Sequence, residues 1–172
     1  MKAIFTLATI LLWAHGYSSA VAAEDVAPAT GGVIKFAQKL ENGEPGGQTC
    51  SYDIAPRGYT MVYNFRKSKS PCNNDVHSWF RIDNAPSAVL IELRSDAPET
   101  GDKCRSDSDT RWIFRLRTTK QRTTTGWVSI PGLTSSPDKS IVDPGGLRLD
   151  SKKYDNDSGN VEGKLSCVKI DY

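Results

Sequence analysis

Arg111–Thr119 reads "RWIFRLRTT". In an extended chain Trp112, Phe114 and Leu116 fall on one side and Arg115 and Arg117 on the other, because successive side chains of a strand point to opposite faces. Period two of this kind predicts a sheet with one face in a core and the other in water. The alternative, an apolar stripe at i, i+3, i+4 and i+7 kept for three helical turns, occurs in no window of the chain.

Working outward, seven further runs carry strand character: "VIKFAQKL" from Val33, "YTMVYNF" from Tyr59, "HSWFRI" from His77, "SAVLIELR" from Ser87, "GWVSI" from Gly126, "GGLRLD" from Gly145 and "KLSCVKIDY" from Lys164. Turn chemistry separates them: "ENGEPGG" at 41–47, "PCNND" at 71–75, "DNAP" at 83–86 and the long polar "SDAPETGDKCRSDSDT" at 95–110. About eight short strands broken by Gly, Pro, Asn and Asp predict an antiparallel all-β body, a sandwich or Greek key, over 33–172 as one domain.

Residues 1–23 read as a secretory leader. Lys2 precedes an apolar run from Ala3 to Trp13, and Val21, Ala22 and Ala23 form a small-residue finish, with cleavage expected before Glu24. The apolar run is short of the roughly 20 residues that a bilayer span needs. Residues 24–32, "EDVAPATGG", bury little and are expected to form a flexible arm. The chain is thus expected to be secreted or periplasmic. Its formal net charge of +2 falls by one when Lys2 leaves with the leader. So small a charge points away from nucleic acid as a general partner.

Four cysteines, Cys50, Cys72, Cys104 and Cys167, remain in the exported portion. An even number in an oxidising compartment predicts two disulfides. Of three pairings we expect Cys72 with Cys104, which closes a local loop, and Cys50 with Cys167, which ties an early segment to the last strand. Zinc is disfavoured, because no two cysteines stand at CxxC spacing.

His77 is the one histidine beyond the leader. Its neighbour Ser78 would point to the opposite face of a strand, so the two do not form a nucleophile and its base, and no GxSxG elbow presents another serine. His77 is expected to be an exposed strand residue. Zinc, copper and non-haem iron sites need several imidazoles or thiolates. Calcium needs only oxygen, and the loops carry Asp96, Glu99, Asp102, Asp107, Asp109, Asp155 and Asp157. The run "DNDSGN" at 155–160 lacks the closing Glu of an EF-hand loop and reads as a turn; within it Asn156-Asp157-Ser158 fits the N-glycosylation pattern. Arg115, Arg117, Lys120 and Arg122, with Arg66, Lys67 and Lys69, are expected to be exposed charges that keep sheet edges soluble.

The turn "NDVHSW" places Asn74 and Asp75 side by side and Ser78 three residues on, ahead of a strand. In "VIKFAQKLENGEPGG" an aromatic, Phe36, lies in the first strand and the glycines Gly43, Gly46 and Gly47 stand in the turn after it. On these residues the chain resembles, over about 33–94, the βγ-crystallin Greek-key domain. The resemblance implies that Asn74, Asp75 and Ser78 form one arm of a calcium site; calcium is the one cofactor the residues point to. A disulfide-stapled all-β body with little catalytic equipment and with Tyr, Trp and Arg to anchor a partner is expected to act as an exported module that binds or inhibits another protein. The alternatives are a calcium-binding structural module and a secreted hydrolase or toxin that works with paired carboxylates.

Overall fold

The computed structural model describes residues 31–54, 56–101, 103–154 and 159–172. The leader, nearly all of the arm, Asp102 and the stretch holding Asp155 and Asp157 lie outside the described residues. The order of elements is β1 (Val33–Glu41), β2 (Glu44–Asp53), β3 (Thr60–Asn64), β4 (Trp79–Asp83), β5 (Leu90–Arg94), β6 (Ile113–Thr118), β7 (Val128–Ser129), a 3-10 turn at Pro131–Thr134, β8 (Ile141–Asp143), β9 (Leu147–Lys153) and β10 (Cys167–Asp171). The protein is all-β, as the alternation at Arg111–Thr119 predicts. No described helix is long and apolar enough to cross a membrane.

Two antiparallel sheets form: a four-stranded one ordered β2-β1-β4-β7 and a six-stranded one ordered β3-β10-β5-β6-β9-β8. Their inward rows supply one core. Ile34, Phe36, Phe80 and Ile82 come from the first sheet, and Ile91, Leu93, Phe114, Leu116, Leu149, Val168 and Ile170 from the second. On the other side of β6 Arg115 and Arg117 stay half-buried. The core-facing Lys152 donates from Nζ to the carbonyls of Thr134 and Ser136 at 2.6 and 2.8 Å, satisfying orphan acceptors at the end of the 3-10 turn.

Two strands escape the sequence reading. "ENGEPGG" is only in part a turn: Asn42 and Gly43 both have positive φ, 52° and 84°, and pair Glu41 with Glu44. That is the geometry of a tight two-residue hairpin, which Asn-Gly adopts with little strain, so Pro45–Gly47 already belong to β2. The bulge between Ala37 and Lys39 lets this glycine-rich half stay paired. β8, three residues long, is too short for a periodic signal.

The disulfide pairing also differs from expectation. Two disulfides form, but they join Cys50 to Cys72 and Cys104 to Cys167. Cys50 lies opposite Phe36 on the inward row of the first sheet, whereas Cys167 lies opposite Arg94, on the outward row of the second. The second sheet therefore stands between the two side chains, which cannot approach the 4.4–6.8 Å Cα separation that a disulfide needs. Two disulfides agree with maturation in an oxidising compartment.

Candidate functional site

Cys72 opens a turn that the disulfide pins to β2, and the turn fills the space between β1 and residues 159–166. The Asp75 amide donates to the Leu165 carbonyl (3.2 Å), and the Ser166 hydroxyl lies 2.9 Å from Asp75 Oδ1. Ser78 Oγ accepts from the Gly163 amide at 2.9 Å, and the Ser78 amide donates to the Ala37 carbonyl at 3.2 Å. Asp75, with φ of 55°, takes the left-handed conformation that Asp tolerates better than most residues. The structure thus brings Asp75 and Ser78 against one loop and uses both as hydrogen-bond partners of it. Asn74 differs: its Oδ1 is buried and accepts no hydrogen bond.

His77 is 1% exposed, which corrects the expectation of an exposed strand residue. β4 begins two residues later, so strand alternation does not apply to His77. Its ring packs edge-on to Phe36 and Phe65, with centroids 6.1 and 5.9 Å away, and Nε2 lies 3.3 Å from Cys50 Sγ. Burial lowers its pKa below the usual histidine value, and the backbone at Asn73 opposes the shift only in part. The folded state therefore favours the neutral ring. The stability that this contributes is present above the unfolded histidine value of about 6.5 and is lost as pH falls through the folded one. Unfolding free energy is expected to decline on going below about pH 6.5, and His77→Gln to remove that decline. Proton NMR of the ring checks the cause: titration at or above the ordinary value would count against it.

The outward face of the six-stranded sheet carries paired charge rather than a basic face. Glu92 binds Arg94 and Arg115, and Asp107 binds the same two arginines at 2.8 and 2.5 Å. Arg117 and Arg148 share Asp150 at 2.6 and 2.7 Å. Arg115 and Arg117 are half-buried partners of acids, which corrects their reading as exposed charges. Burial alone would raise the pKa values of Asp107 and Asp150, but the arginine hydrogen bonds and charges outweigh it and hold both carboxyls below the ordinary range. A general acid needs the opposite displacement.

A different feature stands out at the sheet edge. Three large hydrophobic side chains are exposed among the described residues: Tyr59 (63%), Met61 (38%) and Ile141 (59%). Two of them lie at β3, an edge strand. Tyr172 donates to the Tyr59 carbonyl at 3.2 Å and Phe65 to the Ser166 carbonyl at 3.0 Å. Since hydrogen-bonded pairs alternate in an antiparallel ladder, Tyr59, Met61, Tyr63 and Phe65 turn their backbone groups towards β10. Thr60 and Val62 turn theirs outward, where no described strand meets them. One hollow lies beside this edge, ≈ 180 Å³ and lined by Tyr52, Tyr63, Lys67 and Lys69. A second, of ≈ 340 Å³, starts at Tyr59 and Thr60 and runs across β10 to Leu90 and Arg117. Tyr52 and Tyr63 stack at 3.9 Å between the two sheets' edges, and burial raises both phenol pKa values.

Sequence reasoning missed this edge, because a strand's position within its sheet leaves no mark on its own residues. One signal was available: from Ile54 to Asn74 the chain has Arg57, Arg66, Lys67 and Lys69 and neither Asp nor Glu. Comparisons with protein-family models, with curated proteins and with solved structures find no match for this chain.

Proposed function

We propose that this chain is an exported binding module that captures or inhibits another protein by adding a strand of that partner to β3. The observation that carries the reading is the contrast between β3 and the other edges. β2 is blunted by Pro45, Gly46, Gly47 and a bulge, while β7 and β8 have two and three residues. Such devices keep sheet edges from pairing with other chains. β3 has none: "TMVYN" is uncharged, contains no Pro or Gly, and carries exposed Met61 beside exposed Tyr59. Strand addition draws affinity from main-chain hydrogen bonds and selectivity from pockets beside the edge.

Val62→Pro tests the reading, because it removes an outward N–H and leaves the β10 ladder its donors. The mature protein, immobilised and exposed to its native medium, is expected to retain a partner that the Val62→Pro protein releases. Retention of the same partner by both proteins, with melting temperatures alike, would show that β3 is not the site.

The buried Asn74 Oδ1 favours a second reading, in which the Greek-key resemblance extends to the connections between strands and the turn at 72–78 holds calcium. Asn74 supplies an oxygen free to bind, Asp75 a second carboxylate oxygen and Ser78 a shared hydroxyl; calcium takes 6–8 oxygens, so water would fill most of the sphere. Calcium at 100 times its dissociation constant stabilises by about 2.7 kcal/mol. A melting temperature equal in calcium and in chelator removes this reading, and Asn74→Ala should abolish any rise.

A further inference from the structure

Resting on the strand-addition reading, we infer the chemistry of the partner: an extended segment with about five uncharged residues flanked at both ends by carboxylates. β3 spans Thr60–Asn64, and at roughly 3.3 Å per residue it offers a ladder of about 17 Å. Arg57 stands before this strand, and Arg66, Lys67 and Lys69 follow it, all exposed. No acid interrupts the run from Ile54 to Asn74. Asp171, the carboxylate beside the start of β3, is held by Lys169 at 2.7 Å and accepts from Thr60 Oγ1 at 2.6 Å.

Asp53 of β2 brings one negative charge near Tyr63, but the basic character at the two ends of the strand is local to the edge, in a chain whose net charge is close to neutral. It sits at both ends of the open strand rather than along it. A strand docked here aligns its ends with cations and its uncharged centre with β3, the exposed Tyr59 and Met61 lying towards the Arg57 end. Charges placed at the rim of an interface act chiefly on the rate of encounter and on the choice of partner. A basic or neutral extended segment would find the same backbone hydrogen bonds without that attraction. A second copy of this chain would bring Arg57 and the Arg66–Lys69 cations against their own kind, so self-pairing is disfavoured by like-charge contact.

The test uses the mature chain and three synthetic peptides sharing one uncharged, β-branched five-residue centre. One has Glu-Glu at each end, one has Lys-Lys, and one has Glu-Glu with alternate amides N-methylated. By fluorescence anisotropy the first is expected to bind at least about tenfold more tightly than the second, to weaken as salt is raised, and to lose binding on N-methylation. The variant Arg66→Glu/Lys67→Glu/Lys69→Glu changes only exposed residues outside β3, and is expected to reverse the preference between the Glu and Lys peptides. Equal binding of the two peptides, or binding indifferent to that variant, overturns the acidic partner while the strand-addition reading stands. Binding that survives both N-methylation and Val62→Pro overturns the strand-addition reading as well. A chain that dimerises through β3 in sedimentation overturns the inference in favour of a second copy.

Discussion

A protein in which Cys104 and Cys167 are both alanine is expected to lose about 4 kcal/mol of unfolding free energy, against about 3 kcal/mol when Cys50 and Cys72 are replaced. The ranking follows from loop length. The bridges span separations of 63 and 22 residues, and in the chain-entropy picture a longer closed loop removes more freedom from the unfolded state. Topology adds a second reason for the first bridge to matter. Residues 95–111 connect β5 to β6 across the outward face, and Cys104 joins that connection to β10, so the loop covers Arg94 and Glu92. Ser95 and Asp96 anchor its ends, through the Trp112 and Arg111 amides, at 3.2 Å each. Denaturant melts with linear extrapolation measure both losses. If removing Cys50–Cys72 proves the costlier change, packing of Phe36, Phe65 and His77 about the Cys50 sulfur outweighs loop entropy, and the ranking fails.

The sequence carried the strands more clearly than their arrangement. "RWIFRLRTT" places Phe114 and Leu116 in the core because alternation is a property of one strand alone. Disulfide partners depend on which sheet each strand joins and which way its row faces. Cys50 and Cys167 look like natural ends of a fold in linear order, but one faces inward in the first sheet and the other outward in the second. His77 shows a related limit: its neighbours suggest a strand, but the strand starts at Trp79 and the ring turns under Phe36 and Phe65. Asn74, Asp75 and Ser78 were legible as a turn. The actual partners of Asp75 and Ser78, namely Leu165, Ser166 and Gly163, lie far along the chain, and no local pattern announces such contacts. The open edge at β3 was hidden for the same reason.

Arg94→Met is expected to destabilise the protein by about 3 kcal/mol, the lower end of the 3–5 kcal/mol range for removing one partner of a buried ion pair. Arg94 and Glu92 are 7% and 6% exposed, and the guanidinium also donates to the Arg105 carbonyl at 3.0 Å and meets Asp107 at 2.8 Å. Methionine matches the apolar stem but leaves Glu92 charged beneath the 95–111 loop and the Arg105 carbonyl without this donor. The loss stays at the lower end because Arg115 Nε still holds Glu92 at 3.1 Å. Removing both charges has a different consequence. In Glu92→Leu/Arg94→Met no charge of the pair remains buried, and Arg115 keeps its contact with the exposed Asp107 at 2.5 Å. A buried pair exchanged for apolar groups of similar volume is often neutral, so the double variant is expected to recover most of what the single variant loses. A double-mutant cycle on the unfolding free energies reads the coupling directly. A double variant no more stable than Arg94→Met would mean that the arginine acts by bracing the loop through Arg105, and the stranded charge would not be the source of the loss.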